Sequence, residues 1–138
     1  MDPGMDAAAT FAATPCNRWL GLQLVHCSRE RVVVALPLRP ELLQEAGVVQ
    51  GGLQTALADA AAVWLLWPGL GPGRTMTGIG ASVQFLSPGR PDGGALRATA
   101  VPVRTGGTIA VAEVRIEQDD RLVAAGTFTF LLRARREP

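Results

Sequence analysis

Sixteen residues, Gly52 to Trp67, constrain this chain more than any other stretch. The segment is rich in Ala and Leu, lacks a β-branched run, and stops at Pro68-Gly69, so it reads as a helix. Its apolar residues, among them Leu53, Leu57, Ala61, Trp64 and Leu65, run almost all the way round. A helix without a polar face belongs in the middle of a domain. One side chain contradicts that pattern. Between Glu45 and Arg74, Asp59 is the single charged residue, and it sits mid-helix. An unpaired buried carboxylate costs several kcal/mol. It is therefore either a structural Asp, bonded to a backbone N–H or an arginine, or a general base or nucleophile poised by burial.

The remainder of the chain reads as what surrounds this helix. Leu20 to His26 and Arg31 to Leu38 carry β-favouring residues, with a turn at Cys27 to Glu30, giving a hairpin. Glu41 to Val49 is an irregular approach to the helix. After the Gly-Pro-rich loop 68–73, strands are expected over Thr75 to Leu86, Ala95 to Arg104, Thr108 to Glu117 and Leu122 to Leu132. Tight turns at Ser87-Pro88-Gly89, Gly106-Gly107 and Gln118-Asp119-Asp120 join them. The third of these strands carries Ile109, Val111, Val114 and Ile116 with a phase slip near Glu113. Strands joined this way imply an antiparallel sheet, so the expected fold class is α+β, a curved sheet wrapped around one long central helix. Residues 5–14 are Ala-rich and read as a short helix that Pro15 stops, an extension to a single domain over 1–138.

Composition narrows the function classes. A formal net charge of +1 leaves no electrostatic footprint for nucleic acid. The basic cluster Arg133-Ala134-Arg135-Arg136 reads as a solvated tail. Cys16 and Cys27 are too few for a disulfide scaffold and read as buried small apolar residues. With one histidine, His26, a His-rich zinc site is ruled out, and no cofactor is expected. The apolar run Leu53 to Leu70 is broken by Gln54, Asp59 and Pro68, so no membrane span is expected, and the cytoplasm is the default compartment.

At the start of the central helix lie Gly51 and Gly52. Free N–H groups and the positive end of the helix dipole gather there, and glycine lets a ligand approach the backbone. Such a terminus can hold a developing oxyanion; equally, the pair can simply permit a tight turn into the helix. Asp59 lies eight residues beyond Gly51, about 12 Å along the axis. The two can act on one small group if a second subunit supplies one of them.

The segment Gln44-Glu45-Ala46-Gly47-Val48-Val49-Gln50-Gly51-Gly52, followed by Leu57-Ala58-Asp59-Ala60, is similar to hotdog-fold thioesterases of the phenylacetic-acid-degradation (PaaI) and hydroxybenzoyl-CoA thioesterase type. That family places a His-Gly-Gly before its helix and a carboxylate nine residues after the His. Val83 to Pro88 and Arg121 to Thr127 resemble its later strands, so the likeness spans about residues 15–132. The resemblance implies a hotdog fold and hydrolysis of an acyl-CoA or related thioester without a cofactor. It gives Asp59 the role of nucleophile or general base, and the Gly51 N–H that of oxyanion donor to the neighbouring subunit's site. Gln44 falls at an amide that positions the thioester or water. Gly52, Thr77 and Gly78 fall near the bound substrate, and Arg90 and Arg104 are candidate CoA-phosphate contacts. It also implies a homodimer, with dimers pairing into tetramers. Gln50 stands where the family has His; glutamine keeps a donor and an acceptor but cannot titrate. That departure favours an alternative, a non-catalytic acyl-thioester binder. A hydratase is disfavoured, because no His follows Asp59. Trp64, Trp67 and Phe85 read first as core aromatics and second as the wall of an acyl pocket.

Overall fold

The computed structural model describes residues 6–137. Six antiparallel strands form one sheet in the order β1-β2-β4-β5-β6-β3. They are β1 (Gln23–Cys27), β2 (Val32–Leu36), β3 (Arg74–Phe85), β4 (Leu96–Thr105), β5 (Ile109–Gln118) and β6 (Arg121–Ala134). Two short helices, α1 (Ala7–Ala13) and α2 (Pro15–Leu20), precede them, and the central helix α3 (Gly51–Leu66) lies between β2 and β3. The α+β hotdog architecture is as expected, with the long helix packed against β2, β4 and β5.

Close seating of that helix follows from small residues. Ala98, Ala100, Ala110, Ala112 and Ala124 on the sheet are fully buried, as are Ala61 and Ala62 of α3. The alternation in β5 is regular, with Ala110, Ala112, Val114, Ile116 and Gln118 inward. The expected phase slip near Glu113 does not occur; Ile109 and Val111 face the other way because alanines take the core positions. Gly126 of β6 is required by close approach, since a Cβ there would run into the Ser82 carbonyl oxygen of β3.

Several boundaries differ from expectation. Pro15 does not merely stop the first helix: it opens α2 from the first helical position, where its missing N–H costs nothing. Leu20 therefore ends a helix, and the first strand begins at Gln23. Met5, part of the expected helix, lies outside the described residues. Neither cysteine is buried: Cys16 is exposed and Cys27 is half-buried, its thiol pushed up by partial burial and donating toward the Trp64 carbonyl. Arg133 and Ala134 continue β6, so the tail proper begins at Arg135. At the β5–β6 turn, Asp119 and Asp120 have φ of 49° and 63°, as a tight two-residue hairpin requires.

Candidate active site

Asp59 stands on the flank of α3 that faces β3 and β6, away from the strands on which the helix is seated. The helix presses Leu57, Ala58, Ala61 and Leu65 inward, while Gly52 and Asp59 are exposed. The expectation that Asp59 is buried is thus corrected for the isolated chain. The all-round apolar helix is covered by β2, β4 and β5; its flank toward β3 and β6 opens on a cleft of about 370 Å³ between Asp59, Gly78 to Ala81 of β3 and Phe128 to Phe130 of β6. No hydrogen bond or ion pair to Asp59 occurs among the described residues, so nothing there supports a structural partner. Partial burial raises its carboxyl above the ordinary aspartate range. The phenylalanine wall removes water from one side of the carboxylate; solvent on the other side limits the effect.

The floor of this cleft is an edge strand with a defect. β3 pairs with β6 along one side, and register shifts between Gly78 and Gly80, leaving Ile79 as an extra residue. Bulges of this kind re-aim side chains and recur beside active sites. Gly80 has open space where a Cβ would stand, and a Cβ at Gly78 would reach the Phe130 ring at 3.7 Å. Two glycines flanking one residue within a strand are the sequence signal for this bulge. Thr77 is exposed and does not line the cleft; the hydroxyl residue that does is Thr129, opposite Gly80. Phe128, Thr129 and Phe130 went unnoticed in the sequence, because alternation along β6 does not reveal which strand residues meet the helix.

At the N-terminus of α3, Gln50 is the cap: its Oε1 accepts the Leu53 N–H at 3.0 Å. This engages the acceptor of the residue standing in the family's His position, and leaves the Gly51 and Gly52 N–H groups of the first turn without intrahelical acceptors. A Cβ on Gly52 would meet the same Gln50 oxygen at 2.8 Å, so glycine there follows from the cap geometry. The Phe85 ring lies over Gly51, with Cζ 3.3 Å from where a Cβ would be. Phe85 is 56% exposed, so it is neither a core aromatic nor part of the Asp59 cleft. Gln44 is turned into its own loop, where its Oε1 accepts from the Ala46 N–H. The two candidate phosphate contacts are not brought together. Arg90 lies in the loop before β4, whereas Arg104 lies near the strand's far end, about 27 Å of strand beyond Leu96. Among the described residues no group of three His, Cys, Asp or Glu side chains could hold a metal. No helix among them is long and apolar enough to cross a membrane.

A sequence model of the thioesterase superfamily matches residues 46–125, the stretch from the approach to α3 into β6. The chain belongs to this superfamily. It is 31% identical over 131 residues to a Mycobacterium tuberculosis protein named "Putative esterase Rv1847", covering 91% of this chain and 92% of that one. Among solved structures, AziG of S. sahachiroi superposes with a TM-score of 0.83 at 31% identity, over 89% of this chain and 98% of its own. The phenylacetic acid degradation protein PaaI of Thermus thermophilus gives 0.77 at 26%, over 86% and 98%. A thioesterase of Haemophilus influenzae gives 0.84 at 22%, over 93% and 89%, a likeness of fold. This superfamily's common chemistry is hydrolysis of acyl thioesters.

Proposed function

We propose that the protein hydrolyses an acyl-CoA or related acyl thioester, with Asp59 as the catalytic carboxylate. The observation that carries the reading is an unpaired carboxylate of raised proton affinity, set in an apolar-walled cleft against glycines of an edge strand. An ionised Asp59 either attacks the thioester carbonyl or takes a proton from an attacking water. In the first case the C–S bond breaks as the thiolate is expelled. Water then hydrolyses the acyl–Asp59 anhydride to the free acid, restoring the carboxylate and supplying the thiol's proton. In the second the water oxygen bonds to the carbonyl carbon, the C–S bond breaks, and Asp59 passes the proton it took to the leaving thiolate. A carbonyl in that cleft needs a donor for its developing oxyanion. Gly51 of the same chain lies about 12 Å away along α3, so the donor is the Gly51 N–H of a second copy.

That second copy is expected at the free edge of β3. The strand is 12 residues long, pairs with β6 alone among the described residues, and exposes Ile79 and Phe85, with Leu86 exposed just beyond its end. A long unpaired edge carrying apolar side chains is a template for another strand. Two-fold pairing there sets each α3 N-terminus toward the other chain's Asp59.

Complementation tests the whole reading. Coexpressed Asp59→Asn and Gly51→Val chains place both lesions in one site of a mixed dimer and none in the other. Random mixing makes half the dimers mixed, so about a quarter of wild-type sites return, from two-fold symmetry. Inactive mixed dimers, from single variants that are folded and dimeric, would place the site within one chain.

A non-catalytic thioester binder is the second reading, favoured by Gln50, which cannot titrate and whose acceptor is spent on the helix cap. A screen against acyl-CoAs with a thiol-trapping dye separates the two: release of thiol that Asp59→Asn abolishes excludes the binder.

A further inference from the structure

Val63 and Trp67 follow Asp59 along α3 at steps of four residues, the spacing that stacks side chains on one face. With Thr14, Trp64 and Met76 they line a second cleft, of about 300 Å³. Gly78 and Phe130 border both this cleft and the one at Asp59, so the two adjoin. At the shared border Gly78 contributes no side chain, and the Phe130 ring lies beside it, 3.7 Å from where a Cβ would stand. Among the described residues no charged side chain lines the second cleft. Its one hydroxyl, on Thr14, is turned back to donate to the Thr10 carbonyl at 2.9 Å. An occupant of this cleft is therefore apolar.

The far end is fixed by a ladder of rings. Trp67 meets Trp64 edge-on at 5.2 Å and 76°, and Trp64 meets Phe11 of α1 at 5.3 Å and 66°. Edge-to-face pairs of this kind are directional, and Phe11 and Trp64 are buried, so the ladder holds Trp67 in one orientation. Phe11 and Thr14 lie outside residues 46–125, the part matched by the superfamily model.

We propose that this cleft takes the acyl chain, and that the N-terminal helices, through Phe11, Trp64 and Trp67, set its greatest length. The inference rests on Asp59 marking the reacting carbonyl. Eight residues separate Asp59 from Trp67, about 12 Å of helix. A medium-length chain such as octanoyl fits that span, whereas palmitoyl overruns it. The superfamily core thus supplies the chemistry, and the preceding helices supply the ruler.

Binding tests this without turnover. Acyl-CoAs from butanoyl to palmitoyl are titrated against Asp59→Asn carrying Trp19→Phe. Trp19 is 74% exposed, so its removal leaves the fluorescence of Trp64 and Trp67 as the signal. Affinity is expected to rise roughly fourfold per added methylene up to octanoyl and then level off. In Trp67→Ala the rise extends further, improving palmitoyl binding by about tenfold or more. Should that variant fail to fold, Val63→Phe is expected to move the break to shorter chains. A wild-type-like break in both variants, or a rise that continues to palmitoyl with Trp67 in place, overturns the assignment. Failure of the catalytic reading is separable: full hydrolysis by Asp59→Asn would remove the role of Asp59 while leaving the chain-length profile to be judged by itself.

Discussion

The two edges of the sheet are built to opposite ends. β1 is five residues long, its register shifts between Leu24 and His26, and α1 packs beside it. Short, bulged and covered strands are how proteins keep an edge from pairing. β3 is 12 residues long and exposes most of its side chains. Its bulge at Ile79 sits mid-strand beside Asp59 rather than blunting an end. One edge closes the fold, and the other is left for chemistry and, on our reading, for a second copy.

The largest effect should come from the carboxylate beside the open edge. Asp59→Asn is expected to fold normally and to lose at least ~10²-fold in kcat, the scale of removing a general base. Steady-state kinetics on a variant checked by circular dichroism decide it; a folded variant with full activity would sink the role assigned to Asp59.

Next comes a paired substitution across the comparison. Ile79→Lys on β3 and Val25→Lys on β1 place the same charge at exposed apolar positions, 54% and 47% accessible. Light scattering should find that the β3 variant has half the mass of the parent, while the β1 variant keeps the parent's mass. Equal masses in both would leave the β3 edge without its partner. For Val25→Lys the change in stability should stay within about 0.5 kcal/mol, as for ordinary surface sites.

The third effect is in pH. Asp59 must be ionised to act, so kcat/KM is expected to rise with pH through a value above the ordinary aspartate range. The folded chain holds this proton more tightly than the unfolded chain does. Ionisation therefore costs stability, a cost absent below the unfolded-state pKa and complete above the raised one. Asp59→Asn should accordingly be the more stable protein at neutral pH, and the difference should vanish in acid. A denaturation series across pH would expose the reverse sign.

The smallest concerns the helix start. Gln50→Ala removes the cap on Leu53 and should cost about 1 kcal/mol in chemical denaturation. No change at all would mean the first turn of α3 is held by its neighbours instead.

Much of this fold was legible. The four later strands fall within one or two residues of expectation, because glycine, proline and aspartate turns punctuate them strongly. Early boundaries were harder. Pro15 is compatible both with ending one helix and with beginning the next, and nothing local distinguishes these. Asp59 was legible as an anomaly, since one charge in an apolar helix stands out. Its exposure was not, because sequence periodicity cannot tell a face covered by the chain's own sheet from one left uncovered. The amides of Gln44 and Gln50 could be placed near the helix start, but their use in a loop and a cap depends on side-chain rotamers.

The alanines beneath α3 carry a further consequence. They fix the height at which the helix rides on the sheet, and Asp59, Val63 and Trp67 ride with it. Adding two methyl groups at Ala98 or Ala112, by substitution to valine, would lift the helix as a rigid rod, since packed interiors transmit strain. The clefts between the helix and the β3–β6 part of the sheet would change width without any residue in them being altered. Substrate preference in this chain can therefore drift through positions that no substrate ever reaches. Variants selected for a new acyl group should be sequenced with that seat in view.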